Sequence, residues 1–83
     1  MVVLLVGVKE ADLTPEMLGG ESVEEVAAAD LPKRLIQDMD ACIIFSPEFQ
    51  PHVELCCMAQ GFADGPTLVM FRDGGLFICS GGE

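Results

Sequence analysis

Basic residues are scarce in this chain. Four Lys and Arg stand against fourteen Asp and Glu, a formal net charge of −10. A surface of that sign repels phosphate backbones and excludes direct nucleic-acid binding. Long apolar runs are also missing: none reaches the roughly 18 residues that a membrane-spanning helix needs. The opening apolar stretch, residues 1–8, has no basic leader, and Lys9-Glu10 follows it instead of a small-residue cleavage site. It therefore reads as a buried strand rather than a signal peptide, and the protein as cytoplasmic. Histidine occurs once, as His52, and no C-x-x-C occurs at all. A zinc site needs four ligands in paired spacing, so no metal is expected, and no cofactor. No linker, internal repeat or low-complexity tail breaks the chain.

What is present is apolar content, 51% of 83 residues. That is rich for so short a chain, argues against disorder, and makes residues 1–83 one domain. The four cysteines (Cys42, Cys56, Cys57 and Cys79) sit in apolar surroundings and read as reduced, mostly buried thiols. Six acids fall between Glu10 and Glu25 with no basic residue among them: Glu10, Asp12, Glu16, Glu21, Glu24 and Glu25. Such a surface favours a protein partner with a basic surface and speeds encounter with it.

The β-branched run Val2–Val8 predicts a strand covered on both faces. Thr14-Pro15-Glu16 opens a short helical turn, with Thr as cap, Pro in the first turn and an acid at the positive end. Gly19-Gly20 closes it. Ser22-Val23-Glu24-Glu25 has the capping-box spacing and predicts the start of a second helix. Val23, Ala27, Leu31, Leu35 and Met39 fall at i, i+4 steps along it, with Asp30 as a new cap before Pro32. Ala41–Phe45 is the second strand. A helix follows from Gln50 to about Gln60, apolar on most sides and so expected to be well buried. Thr67–Phe71, an Asp73-Gly74 hairpin and Leu76–Cys79 complete the chain. His52 reads as a surface residue without a catalytic partner, and so does Glu48.

The order β-α-β-α-β-β, together with residues 61–74, resembles the thioredoxin-like superfamily. The shared features are a helix-ending glycine (Gly61), Pro66-Thr67 five residues on, an apolar strand ending in Phe71, a glycine turn, and Gly82 beyond the hairpin. The resemblance implies an α/β fold with a four-stranded mixed sheet, lacking the family's C-terminal helix. It also implies a cis Gly65-Pro66 bond, with Gly65, Pro66 and Thr67 forming an edge where an extended peptide docks. Cys42 and Cys79 would then lie on strands at opposite edges of the sheet. The residues after the first strand, 8–15, carry no cysteine, so a redox-inactive member is expected, because disulfide exchange needs a low-pKa thiolate at a helix start. A fainter resemblance, through Val2–Leu5 and Thr14-Pro15-Glu16, is to small redox-inactive chaperones of hydrogenase maturation.

The function these readings imply is non-catalytic protein binding, as a chaperone, adaptor or inhibitor, with a homodimer expected if the missing helix leaves an apolar face open. An alternative also stands. Asp38–Ser46 followed by Glu54 resembles nucleoside deoxyribosyltransferases and TIR domains. That likeness implies a small nucleoside or nucleotide glycosyl-transferring or hydrolysing enzyme. Glu54 would be its catalytic carboxylate and Ser46 a phosphate or ribose contact.

Overall fold

The computed structural model describes residues 2–20, 22–38, 40–59 and 67–79. The protein is a mixed α/β domain built on five strands: β1 (Val2–Val6), β2 (Ser22–Glu25), β3 (Cys42–Phe45), β4 (Thr67–Arg72) and β5 (Gly75–Ile78). Three helices join them: α1 (Pro15–Leu18), α2 (Leu31–Gln37) and α3 (Gln50–Ala59). The strand order is β2-β1-β3-β4-β5. The pairs β1·β2, β1·β3 and β3·β4 are parallel, and β4·β5 is antiparallel.

The fifth strand corrects the four-stranded expectation. Ser22–Glu25 has capping-box spacing, yet it forms no helix. It pairs in parallel with β1, Val3 opposite Val23, and Val26 N–H donates to the Leu5 carbonyl at 2.8 Å. Glu25 does not turn back to the Ser22 amide as the box requires; its carboxylate accepts from Glu10 N–H at 2.9 Å. The apolar stripe assigned to one helix is therefore shared. Val23 belongs to the sheet, while Leu31 and Leu35 are fully buried on α2.

Alternation along the central strands sends side chains into two cores. Leu4, Val6, Ile43 and Phe45 face Leu31, Leu35, Val53 and Cys56 of α2 and α3. Val3, Leu5 and Ile44 face Leu13, with Met17 and Leu18 of α1 packed at the margin. Helices thus cover both faces, which explains why β1 and β3 are near-continuous apolar runs.

Several local readings hold. Thr14 Oγ1 accepts from Met17 N–H at 3.3 Å, Pro15 is in the first turn of α1, and Gly19 ends it with φ +61°. Pro32 sits in the first turn of α2, although Asp30 occupies the cap position without a side-chain hydrogen bond. The β4–β5 turn has φ +55° at Asp73 and +76° at Gly74, as a type I′ hairpin requires. The burial expected of α3 holds on one side alone. Val53 and Cys56 are buried, but Leu55 is 63% and Met58 73% exposed.

Candidate functional site

Two regions carry the residues singled out from the sequence. The first is the acidic edge. Strand β2 ends the sheet, and the 3-10 turn Glu10–Asp12 packs beside it. The Glu10–Glu25 hydrogen bond ties the two together, and Glu10, Asp12 and Glu25 are all exposed there. Glu16 is exposed in the first turn of α1. Glu24 is turned elsewhere: both its oxygens accept from Arg34 Nε, at 3.1 and 3.0 Å. Arg34 also pairs with Asp38, and these contacts raise its pKa, the Asp38 hydrogen bond first. Glu21 lies outside the described residues.

The arginines do little to offset this edge. Arg34 is held between Glu24 and Asp38. Arg72 lies at the hairpin, 5.2 Å from the Phe77 ring centroid and 3.7 Å from Asp73. Beside the acids runs an open cleft of about 390 Å³, formed where β1 and β2 end and lined by Leu5, Gly7, Val8, Lys9, Glu25, Val26 and Ala27. Among the described residues that line it, Lys9 is the one cation.

The second region lies where β1 and β3 end side by side. Gly7 has φ +74° and packs against the Phe49 ring and Ser46 Oγ. Ser46 Oγ is buried with no hydrogen-bond partner among the described residues. Glu54 is exposed on α3, where it accepts from Gln50 Nε2 at 3.1 Å. Neither Ser46 nor Glu54 lines the cleft.

Of the expected peptide-docking edge, Gly65 and Pro66 lie outside the described residues, and the cis bond with them. Thr67 begins β4, exposed, with its N–H donating to the Ala41 carbonyl at 3.2 Å.

His52 is less isolated than the sequence suggests. Its Nε2 lies 2.7 Å from the Ala28 carbonyl and 3.6 Å from Cys56 Sγ. A carbonyl only accepts, so Nε2 carries the proton in this arrangement and has no lone pair to take one from the thiol. The contact ties α3 to the turn before α2; it does not activate a nucleophile. The i, i+4 spacing of His52 and Cys56 was the available signal.

All four cysteines are free. Burial raises the pKa of Cys42 and Cys56, and of Cys57, where the neighbouring Cys56 and Glu54 add to it. Of the thiols expected to be mostly buried, Cys56 is buried, Cys42 and Cys57 are half-buried and Cys79 is exposed. Cys42 is not at a sheet edge either, since β3 is central; β4 separates it from Cys79.

Among the described residues, no group of three or more His, Cys, Asp or Glu is placed to hold a metal ion, and no helix is long and apolar enough to cross a membrane. The fold defines the class of the protein, a mixed α/β domain with helices on both faces of an open sheet. Comparison with family models, with curated proteins and with solved structures gives no match.

Proposed function

We propose that the chain is a non-catalytic protein-binding module, a chaperone, adaptor or inhibitor, that receives a basic surface on its acidic edge. The observation that carries this reading is the Glu10–Glu25 hydrogen bond. It draws residues fifteen positions apart onto one exposed edge, where Arg34 pairs with Glu24 but not with Glu10 or Glu25, and Arg72 lies at the distant hairpin. Clustered charge of one sign raises association rates with a complementary partner and makes them fall with salt.

The test is a charge reversal with a matched control. Lysine substitutions at Glu10, Asp12 and Glu25 are compared with lysine substitutions at Glu48, Glu54 and Asp73, which change net charge equally. Partners captured by the wild type and the control, released by moderate salt and lost by the edge variant support the reading. Equal loss in both variants reduces it to bulk charge.

The fold reading behind this function is thioredoxin-like, and the β4–β5 hairpin with its Asp73-Gly74 turn supports it. The strand order β2-β1-β3-β4-β5 matches an order found in doubly wound sheets instead. Binding through the acidic edge depends on neither.

That strand order favours a second reading. Strand order reverses between β1 and β3, and open α/β sheets bind ligands at such a point, beyond the carboxyl ends of the strands. Gly7 and the unpartnered Ser46 hydroxyl stand there. On this reading the chain acts on nucleosides or nucleotides, with Glu54 as the carboxylate. Release of free base from nucleosides or NAD, abolished by Glu54→Gln, is the result it requires.

A further inference from the structure

Strand β2 closes one side of the sheet, and among the described residues it pairs with β1 alone. Its other side is open. Which backbone groups line that side follows from one contact. Val26 N–H donates to the Leu5 carbonyl at 2.8 Å, so Val26 faces β1. Backbone groups alternate in direction along a strand, so Glu24 faces β1 as well. The N–H and C=O groups of Val23 and Glu25 therefore point outward along the open edge.

The side chains beside that edge are sorted by charge. Val23 and Glu25 are two positions apart and project from the same face. Val23 is half-buried against the second core. Glu25 is exposed, and the Glu10 amide on its carboxylate brings the turn Glu10–Asp12 to that face. Glu24 projects from the opposite face, where Arg34 already pairs with it. Among the described residues no cation pairs with Glu10, Asp12 or Glu25, not even Lys9 in the cleft beyond the strand end. The uncompensated charge thus lies on one face of the edge, next to Glu25.

We propose that an extended basic segment of a partner protein adds to β2 as a sixth, antiparallel strand, with an apolar residue opposite Val23 and Lys or Arg opposite Glu25. The inference rests on the acidic-edge reading above and states how the partner engages that edge. Val23 and Glu25 each exchange both backbone hydrogen bonds with the residue opposite, and antiparallel pairing is the more stable kind per residue. Charge selects the occupant. Acids on an edge turn away strands of like charge, among them a second copy of net charge −10. The same acids favour a cationic strand, because opposite charges directly across a strand pair stabilise it. A neutral strand leaves Glu25 without a counter-charge. A basic helix meets the charge but leaves the outward backbone groups of Val23 and Glu25 unused.

The test titrates the isotope-labelled whole chain with a capped peptide, Thr-Thr-Lys-Thr-Val-Thr-Thr, followed by nuclear magnetic resonance. Concentrations run from about 0.1 to 5 mM, since one short strand binds weakly. Saturable shifts and slowed hydrogen exchange are expected at the Val23 and Glu25 amides, without slowed exchange at Glu24, which already faces β1. Methylating the backbone nitrogen of the peptide's Val removes its donor to Val23 and should weaken binding about tenfold. Glu in place of the peptide's Lys should weaken it about fivefold or more. Absence of saturation, shifts that bypass Val23 and Glu25, or full binding by the methylated peptide would each overturn strand addition and leave the acidic-edge reading standing. Binding unchanged by lysine at Glu10, Asp12 and Glu25 together would remove that reading, and the inference with it.

Discussion

A β-carbon placed on Gly7 would stand 2.6 Å from Ser46 Oγ and closer still to the Phe49 ring. The glycine therefore lets the turn after β1 close over the turn after β3. Its φ of +74° adds a second reason, since side chains rarely tolerate that conformation. Gly7→Ala should cost about 2 kcal/mol or more, combining backbone strain with overpacking. Gly19 has φ +61° but open space around it, so Gly19→Ala should cost only about 1 kcal/mol. Urea denaturation followed by circular dichroism compares them; the chain has no Trp or Tyr to report by fluorescence. Equal costs would mean that the Phe49 contact is unimportant.

The one-sided burial of α3 is open to the same measurement. Leu35 is fully buried between α2 and the sheet, and Leu35→Ala should lose about 2–5 kcal/mol. Leu55 is largely exposed, so Leu55→Ala should stay within about 0.5 kcal/mol of wild type. A large loss at Leu55 would restore the all-round burial that its sequence suggests.

Removing a cap tests α1. Thr14→Ala deletes the acceptor for Met17 N–H and should destabilise by about 1 kcal/mol, while Thr14→Asp should retain most of the stability. Failure of Asp to rescue would show that the threonine methyl, not the oxygen, is what matters.

Thiol ionisation sets an alkaline limit to stability. Burial holds the pKa of Cys42, Cys56 and Cys57 above the ordinary thiol value of 9.0. Unfolded thiols then ionise first, so between the unfolded and folded values the unfolded state holds fewer protons. The stabilisation is complete below pH 9.0 and is lost as pH rises through the folded values. Denaturation midpoints should fall above that pH, and Cys42→Ala should flatten the decline. At neutral pH a thiol reagent should modify exposed Cys79 rapidly and the other three slowly.

Much of the fold was legible because its determinants are local. Val2–Val6 is apolar whichever partner it takes, Thr14-Pro15 caps its own turn, and Asp73-Gly74 needs only its two positive φ angles. The apolar i, i+4 steps at Leu31 and Leu35 likewise mark α2 without outside help. The acidic edge was visible as composition, but not which of its members gather there. Only the fold separates Glu25, held by the Glu10 amide, from its neighbour Glu24, held by Arg34.

Ser22–Glu25 shows where local information ends. Four residues with a capping-box spacing carry a helix signal worth about 1 kcal/mol. Pairing with β1 supplies backbone hydrogen bonds along the strand and a place for Val23 beside the second core, from residues 20 positions earlier. Those gains exist only once β1 is in place with its edge open. The same holds for α3, where composition specified an apolar helix but the sheet had room for one face of it. The sequence by itself determined which segments prefer extended or helical backbone and where the chain turns. Tertiary structure decided the fifth strand, the strand order and the exposed apolar positions, because these depend on contacts between distant segments that no local preference encodes.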